Sequence, residues 1–313
     1  MLVEVERSGV VESVHQALVV VVDDAGHVVW SAGDPQAVIY PRSAVKPLQA
    51  AGMVRAGLSL PGPWLALACS SHSGEPFHLA AVEQMLGSAG LTVADLRCPP
   101  DWPLELIAER EYVRAGHVAA PVAMDCSGKH AGMLLTCASR GWPLQDYLRV
   151  DHPLQLALRD TVSELAGPIE MTSVDGCGAP LWGLRLSALA SAFCALSRTA
   201  PEVLEAMRAH PEYVAGTRRD VTTLMRGVPD LVAKDGAEAV QAMGIEVAGR
   251  RFGIAVKIVD GADRARSVVA AGVLQSLGVN SAAVADLLER PVLGGGRPVG
   301  AVRLAAGALP HRM

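Results

Sequence analysis

The sequence predicts an α+β protein: one antiparallel sheet built from both ends of the chain, with a mostly helical lobe inserted between them. Three observations predict it. β-Branched runs and turn signals crowd residues 1–40 and return in residues 241–313. Between them, apolar residues recur at helical spacing and are punctuated by Gly and Pro. Half of the 313 residues are hydrophobic and 19% are charged, which provides a large core and argues against disorder. The chain is therefore read as a single unit, with a sheet lobe (1–40 plus 241–313) and a helical lobe (41–240).

Each element has its own signal. Residues 18–22 form an apolar, β-branched run; Asp23-Asp24-Ala25-Gly26 is a turn; residues 27–30 resume the extended pattern. Helical spacing covers residues 43–56, and Gly57 fits the C-terminal cap. Further helices are predicted over 76–86, 104–115, 129–139, 153–165, 181–196 and 201–209, the last with Thr199 and Pro201 as start signals. Residues 244–247 and 252–259 read as a hairpin around Gly249. Helices follow over 263–277 and 281–288, and a strand over 299–305.

Composition excludes several function classes. A net charge of -5 and the absence of a Lys/Arg run argue against nucleic acid, since phosphate binding needs a basic stripe. The apolar run at residues 17–22 is far below the ~20 residues that span a bilayer, so no membrane association is expected. The start MLVEVERSG lacks a basic segment followed by an apolar one, and no signal peptide is visible. Six cysteines in a chain of this length do not make a disulfide framework, and reduced thiols in the cytoplasm are the simpler expectation.

The residues able to carry chemistry fall in four places. Ser43 and Lys46 are three apart where a strand region gives way to a helix, so their side chains share a face. A serine hydroxyl is a weak nucleophile that needs a base, and a desolvated lysine can serve. Ser43 is equally a good helix cap. Residues 69–75 (Cys-Ser-Ser-His-Ser-Gly-Glu) are dense in polar groups, and Ser71 or Ser73 could instead cap the next helix. Cys126 and Cys177, each in a glycine-containing segment, could supply zinc with thiolates, include a catalytic cysteine, or be inert loop thiols. Lys257 stands inside an apolar strand, facing either solvent or a cleft.

Taken in order, Ser43-x-x-Lys46, Ser71-His72-x-Gly74-Glu75, Cys126-Ser127-Gly128-Lys129-His130, Asp175-Gly176-Cys177-Gly178 and Lys257-x-x-Asp260-Gly261 resemble the Rhizobium-etli-type L-asparaginases. The resemblance runs from Glu4 to the region of Gly294. It implies the fold of serine β-lactamases and penicillin-binding proteins, a homodimer, and hydrolysis of L-asparagine to L-aspartate and ammonia. It further implies two Ser-Lys tandems, Ser43 with Lys46 and Ser71 with Lys257. Cys126, Lys129 and Cys177 would hold a zinc ion, and His72, Glu75 and Asp175 would face the substrate. Met124-Asp125 departs from the Asn-type residues expected before Cys126. Two rival readings share these residues. A penicillin-recognising hydrolase lacks its Lys-Thr-Gly and Ser-Asp-Asn triplets here. A non-catalytic, zinc-dependent amino-acid sensor has no need of Ser43, Lys46, Ser71 and Lys257 together.

Overall fold

A computed structural model describes residues 2–313. Strands β1 (Leu2–Arg7), β2 (Val10–Asp23), β3 (Val28–Ala32) and β4 (Val38–Ile39) come first, then a 3-10 turn over Arg42–Val45. Helices α1 (Lys46–Arg55), α2 (Gly62–Ala68), α3 (Pro76–Ser88), α4 (Leu106–Arg114), α5 (Ser127–Arg140) and α6 (Pro153–Ala166) follow. Next are β5 (Met171–Val174), β6 (Pro180–Arg185), α7 (Leu186–Thr199), α8 (Pro201–Ala209), α9 (Pro211–Val214) and α10 (Asp220–Gly227). The chain ends with β7 (Val232–Gly236), β8 (Val240–Val247), β9 (Arg250–Ile258), α11 (Asp263–Ser276), α12 (Ala282–Ala285), β10 (Glu289–Gly294) and β11 (Arg297–Leu304).

The chain forms two compact units. The sheet unit holds the residues up to Ala44, Leu184–Ser197 and Thr223–Met313; the helical unit holds Val45–Gly183 and Arg198–Thr222. The sheet runs β10-β11-β1-β2-β9-β8-β7, all antiparallel, with β3 paired to the second half of β2. Both chain ends thus meet in one sheet, as the sequence predicts. β1 alternates, Val3 and Val5 buried and Glu4 and Glu6 on the opposite face. Val19 to Val22 are all fully buried, because α7 and α11 pack on this sheet and leave this half of β2 no wet face. The approach of α7 requires glycine: a Cβ on Gly253 would come within 1.9 Å of the Ala190 carbonyl oxygen.

In the helical unit α1 packs on α6, α2 on α8 and α5, and α3 on α5. α5 starts so close to α2 that a Cβ on Gly128 would lie 2.5 Å from the Leu67 carbonyl oxygen. The glycine of Cys126-Ser127-Gly128-Lys129 is therefore a packing requirement. Two sequence expectations change, and one helix is added. The helix expected over 181–196 begins only at Leu186, because Pro180 to Gly183 pair with β5. The one expected over 281–288 is a single turn, α12, and the chain then enters β10. α2 went unrecognised, since seven residues give too short a period to read.

Candidate active site

In the helical unit, Lys46 opens α1 and is 1% exposed. Its Nζ donates to the Ser70 carbonyl, to Ser71 Oγ at 3.0 Å and to Cys126 Sγ at 3.1 Å. Burial works to lower the pKa of Lys46, but the charges of Cys126 and Asp125 outweigh it and the net direction is upward. Ser71 lies in the segment between α2 and α3, which is stitched to the chain after α9. Ser71 N donates to the Val214 carbonyl (3.1 Å) and Ser73 N to that of Ala215 (2.7 Å). Thr217 donates to Glu75 twice, N to Oε1 at 2.8 Å and Oγ1 to Oε2 at 2.7 Å. Both carboxylate oxygens of Glu75 are thus engaged within the protein. Glu75 is also the N-cap residue of α3, a position for which the sequence suggested Ser71 or Ser73.

Hydrogen bonding fixes the histidine tautomers. Ser127 Oγ donates to the Val122 carbonyl at 2.8 Å, so it must accept from His72 Nε2, also at 2.8 Å. His72 Nδ1 accepts from Gly74 N at 3.2 Å. Burial, with His78 and Lys46 nearby, holds His72 well below the usual histidine range. Neutral His72 ties the serine segment to the turn that carries Cys126. His78, stacked on His72 with centroids 5.1 Å apart, accepts from Glu75 N and donates from Nε2 to the Glu212 carbonyl. Burial lowers its pKa to about 4.

The two thiols form the second cluster. Asp175 to Gly178 make the turn between β5 and β6, with Gly178 at φ 85°, and this turn buries Cys177. Cys126 and Cys177 are hydrogen-bonded to each other. This bond and burial push Cys126 up; the same bond, with Lys129, holds Cys177 down as the thiolate. Lys129 Nζ donates to Cys177 Sγ at 3.1 Å. Burial would lower the pKa of Lys129, but Cys177 and Cys126 raise it, with Asp175 adding in the same direction. His130 Nδ1 lies 2.7 Å from Tyr147 Oη, which itself accepts from Arg97 N, so the His130 proton sits on Nε2, the side that interacts with the Cys177 sulfur and helps hold that thiol down. Among the described residues no three His, Cys, Asp or Glu side chains gather for a metal. Two buried thiols with a lysine amine and an imidazole beside them are nevertheless a donor set suited to zinc, provided Lys129 gives up its proton.

The sheet unit contributes separately. Ser43 is 9% exposed, in the 3-10 turn, and follows Arg42 at φ 51°. A non-glycine residue held there costs roughly 1 kcal/mol or more, a strain that clusters at functional sites. Edge strand β7 runs against this turn: a Cβ on Gly236 would meet the Pro41 carbonyl oxygen at 2.5 Å and Ser43 N at 3.3 Å. Two residues before Gly236 is Lys234, fully buried, its Nζ on the carbonyl and on Oδ1 of Asp235, both at 2.7 Å. The sequence reading missed Lys234. Its signal is the triplet Lys234-Asp235-Gly236 closing an apolar run, whose middle residue departs from the Lys-Thr-Gly pattern sought. Lys257, on β9, is half-buried and donates to the Glu238 carbonyl; burial lowers its pKa, against Glu238 and Asp260.

These residues define the class before any relative is considered: an α+β protein in which buried lysines stand among serine and cysteine side chains, the equipment of a hydrolase. The L-asparaginase II family matches residues 3–304, and the chain belongs to that family. The protein is an L-asparaginase, a hydrolase of a small linear amide. No curated protein matches the chain. Solved structures similar to it include a β-lactamase from Sphaerobacter thermophilus DSM 20745, at 17% identity over 84% of this chain and 92% of that one, TM-score 0.44. Another is Mglu in its native form, at 17% identity over 83% of this chain and 63% of that one, TM-score 0.35.

Proposed function

We propose that the protein hydrolyses L-asparagine to L-aspartate and ammonia through an ester on Ser43. Lys46 takes the Ser43 proton, Ser43 attacks the side-chain amide carbon, and the C–N bond breaks as the proton passes to the leaving ammonia. Water then hydrolyses the β-aspartyl ester and frees Ser43. Ser71 relays the proton; the observation that carries this reading is Lys46 Nζ at 3.0 Å from Ser71 Oγ in a fully buried setting. Lys257 and Lys234 compete for the place of second lysine. Burial and the packing of β7 on the Ser43 turn favour Lys234.

Cys126, Lys129 and Cys177 would hold a zinc ion. Such an ion supplies positive charge, offsetting the thiolate charge that opposes a neutral Lys46 and attracting the substrate's α-carboxylate. Asp175 and His72 would border the substrate, with Glu75 fixing the segment that carries Ser71. Six cysteines without a disulfide support a reducing, cytoplasmic setting. No described helix is long and apolar enough to cross a membrane. Exposed Leu2, Val10, Val11 and Val14 on β1 and β2 support a homodimer.

Ammonia release from asparagine by Ser43→Ala tests the nucleophile. A loss of about 10³-fold or more is expected, within the range for a nucleophile or its base. Full activity in Ser43→Ala with loss in Ser71→Ala would transfer the role to Ser71.

A further inference from the structure

We infer that the groove between α3 and α4 is a binding site for an organic ammonium cation with an aliphatic or aromatic body. The groove has a volume of about 400 Å³, within the range of small-molecule sites, and is lined largely by apolar side chains. Its two walls are built alike. On α3, Leu79, Ala80 and Glu83 share one face; on α4, Ala108, Glu111 and Tyr112 do the same, each set at helical i, i+3 or i+4 spacing. An alanine in each stripe, Ala80 and Ala108, keeps the groove open, while a carboxylate stands on each wall. No lysine or arginine lines it. Neither carboxylate is in an ion pair among the described residues; Arg218, the cation whose charge Glu111 feels, is bonded to Glu105.

The aromatic end of the groove suits the same ligand. Tyr112 stacks on His117 with centroids 4.4 Å apart and an interplanar angle of 26°, and Trp102 stands edge-on to Tyr112 at 6.4 Å. A π-face between two carboxylates attracts a cation and repels an anion. The wall also includes Gly74 and Pro76, which flank Glu75, so a bound amine would press on the segment that carries Ser71.

The test uses the full chain, read by tryptophan fluorescence and thermal unfolding, with hexylammonium, hexanol and hexanoate as probes. Hexylammonium should shift both signals saturably, and hexanol and hexanoate should shift neither. The double variant Glu83→Gln/Glu111→Gln should weaken hexylammonium about fivefold, as two part-exposed ion pairs would. Ala80→Phe, at an exposed position, should abolish the response by filling the groove. Equal responses to hexanol and hexylammonium would overturn the cation assignment. A response unchanged in both variants would overturn the location, and silence from all three probes would overturn the site. A dimer seen in sedimentation, lost in Ala80→Phe and unaccompanied by any amine response, would make the groove an interface between copies and equally overturn the inference. The readouts are independent of amide turnover, so this inference and the proposed function can fail separately.

Discussion

Lys129 in the helical unit and Lys234 in the sheet unit are buried alike, but different chemistry neutralises them. Lys129 faces the Cys126–Cys177 pair, whose single negative charge is shared through a sulfur hydrogen bond. Lys234 is held by the carboxylate of the next residue and by a backbone carbonyl. A cysteine sulfur is soft and exchangeable: it can hold a proton as the thiol, pair as the thiolate with an ammonium or bind a metal. A buried carboxylate beside a lysine offers a fixed charge. The first region is built to change its charge state, and the second to hold one.

The largest effect expected from breaking this contrast is on stability. Asp235→Ala removes the carboxylate that pairs with buried Lys234 at 2.7 Å, which should cost about 3–5 kcal/mol in denaturant unfolding. Adding or chelating zinc should not change that cost. Cys177→Ala should cost a similar amount in zinc-loaded protein, and the chelated parent should fall toward this variant. A parent whose unfolding midpoint ignores chelator and added zinc would remove the metal from the first region.

Acid should separate the units next. The pKa of His78 is lowered to about 4 by burial, whereas in the unfolded chain it titrates near 6.5. Between those values the unfolded chain binds a proton that the folded chain refuses, so stability falls as pH falls through this window and levels off below pH 4. The loss between pH 7 and pH 5 is about 2 kcal/mol from His78 alone. His72 adds in the same direction. Urea midpoints at pH 7 and pH 5 measure it. A His78→Asn variant with the same pH dependence as the parent would show that the window belongs to other groups.

How far the sequence reveals these arrangements depends on the range of each signal. The strands at both ends and the turn of Gly178 rest on local patterns, and the first of these was legible; Gly253 on β9, which admits α7, answers to Ala190 far away in the chain. Lys46 and Ser71 are 25 residues apart, and no spacing rule predicts that the Lys46 amine reaches the Ser71 hydroxyl. Thr217 was invisible for the same reason, since its bond to Glu75 joins residues 142 apart. Lys234 was overlooked for another. A buried lysine in a strand looks like any charged residue at a strand end until its carboxylate neighbour is seen to be buried with it.

The Glu75–Thr217 contact belongs to the fixed-charge kind although it lies in the helical unit. Thr217→Val removes the Oγ1 bond and keeps the shape and the backbone bond. Hydrogen bonds to charged groups are worth about 1.5–3 kcal/mol, so a loss of about 1–2 kcal/mol is expected at this part-buried position. If Thr217 positions the Ser71 segment, kcat should fall while KM stays near the parent value. A loss of stability with unchanged kcat would leave it a purely structural tie.

The smallest effect sharpens the comparison most, because it separates two lysines of one sheet. Lys257 is half-buried, with its ammonium on the Glu238 carbonyl and within the field of Asp260; Lys234 is fully enclosed. Lys257→Met keeps the aliphatic stem packed on β9 and should change stability by no more than about 0.5 kcal/mol, as surface substitutions do. Ammonia release should then stay within about threefold of the parent, while Lys234→Met loses about 100-fold, the lower bound for a group that moves or steadies a proton. The reverse ranking would return the second lysine to Lys257 and leave Lys234 as a structural charge that steadies the edge of the sheet beneath Ser43.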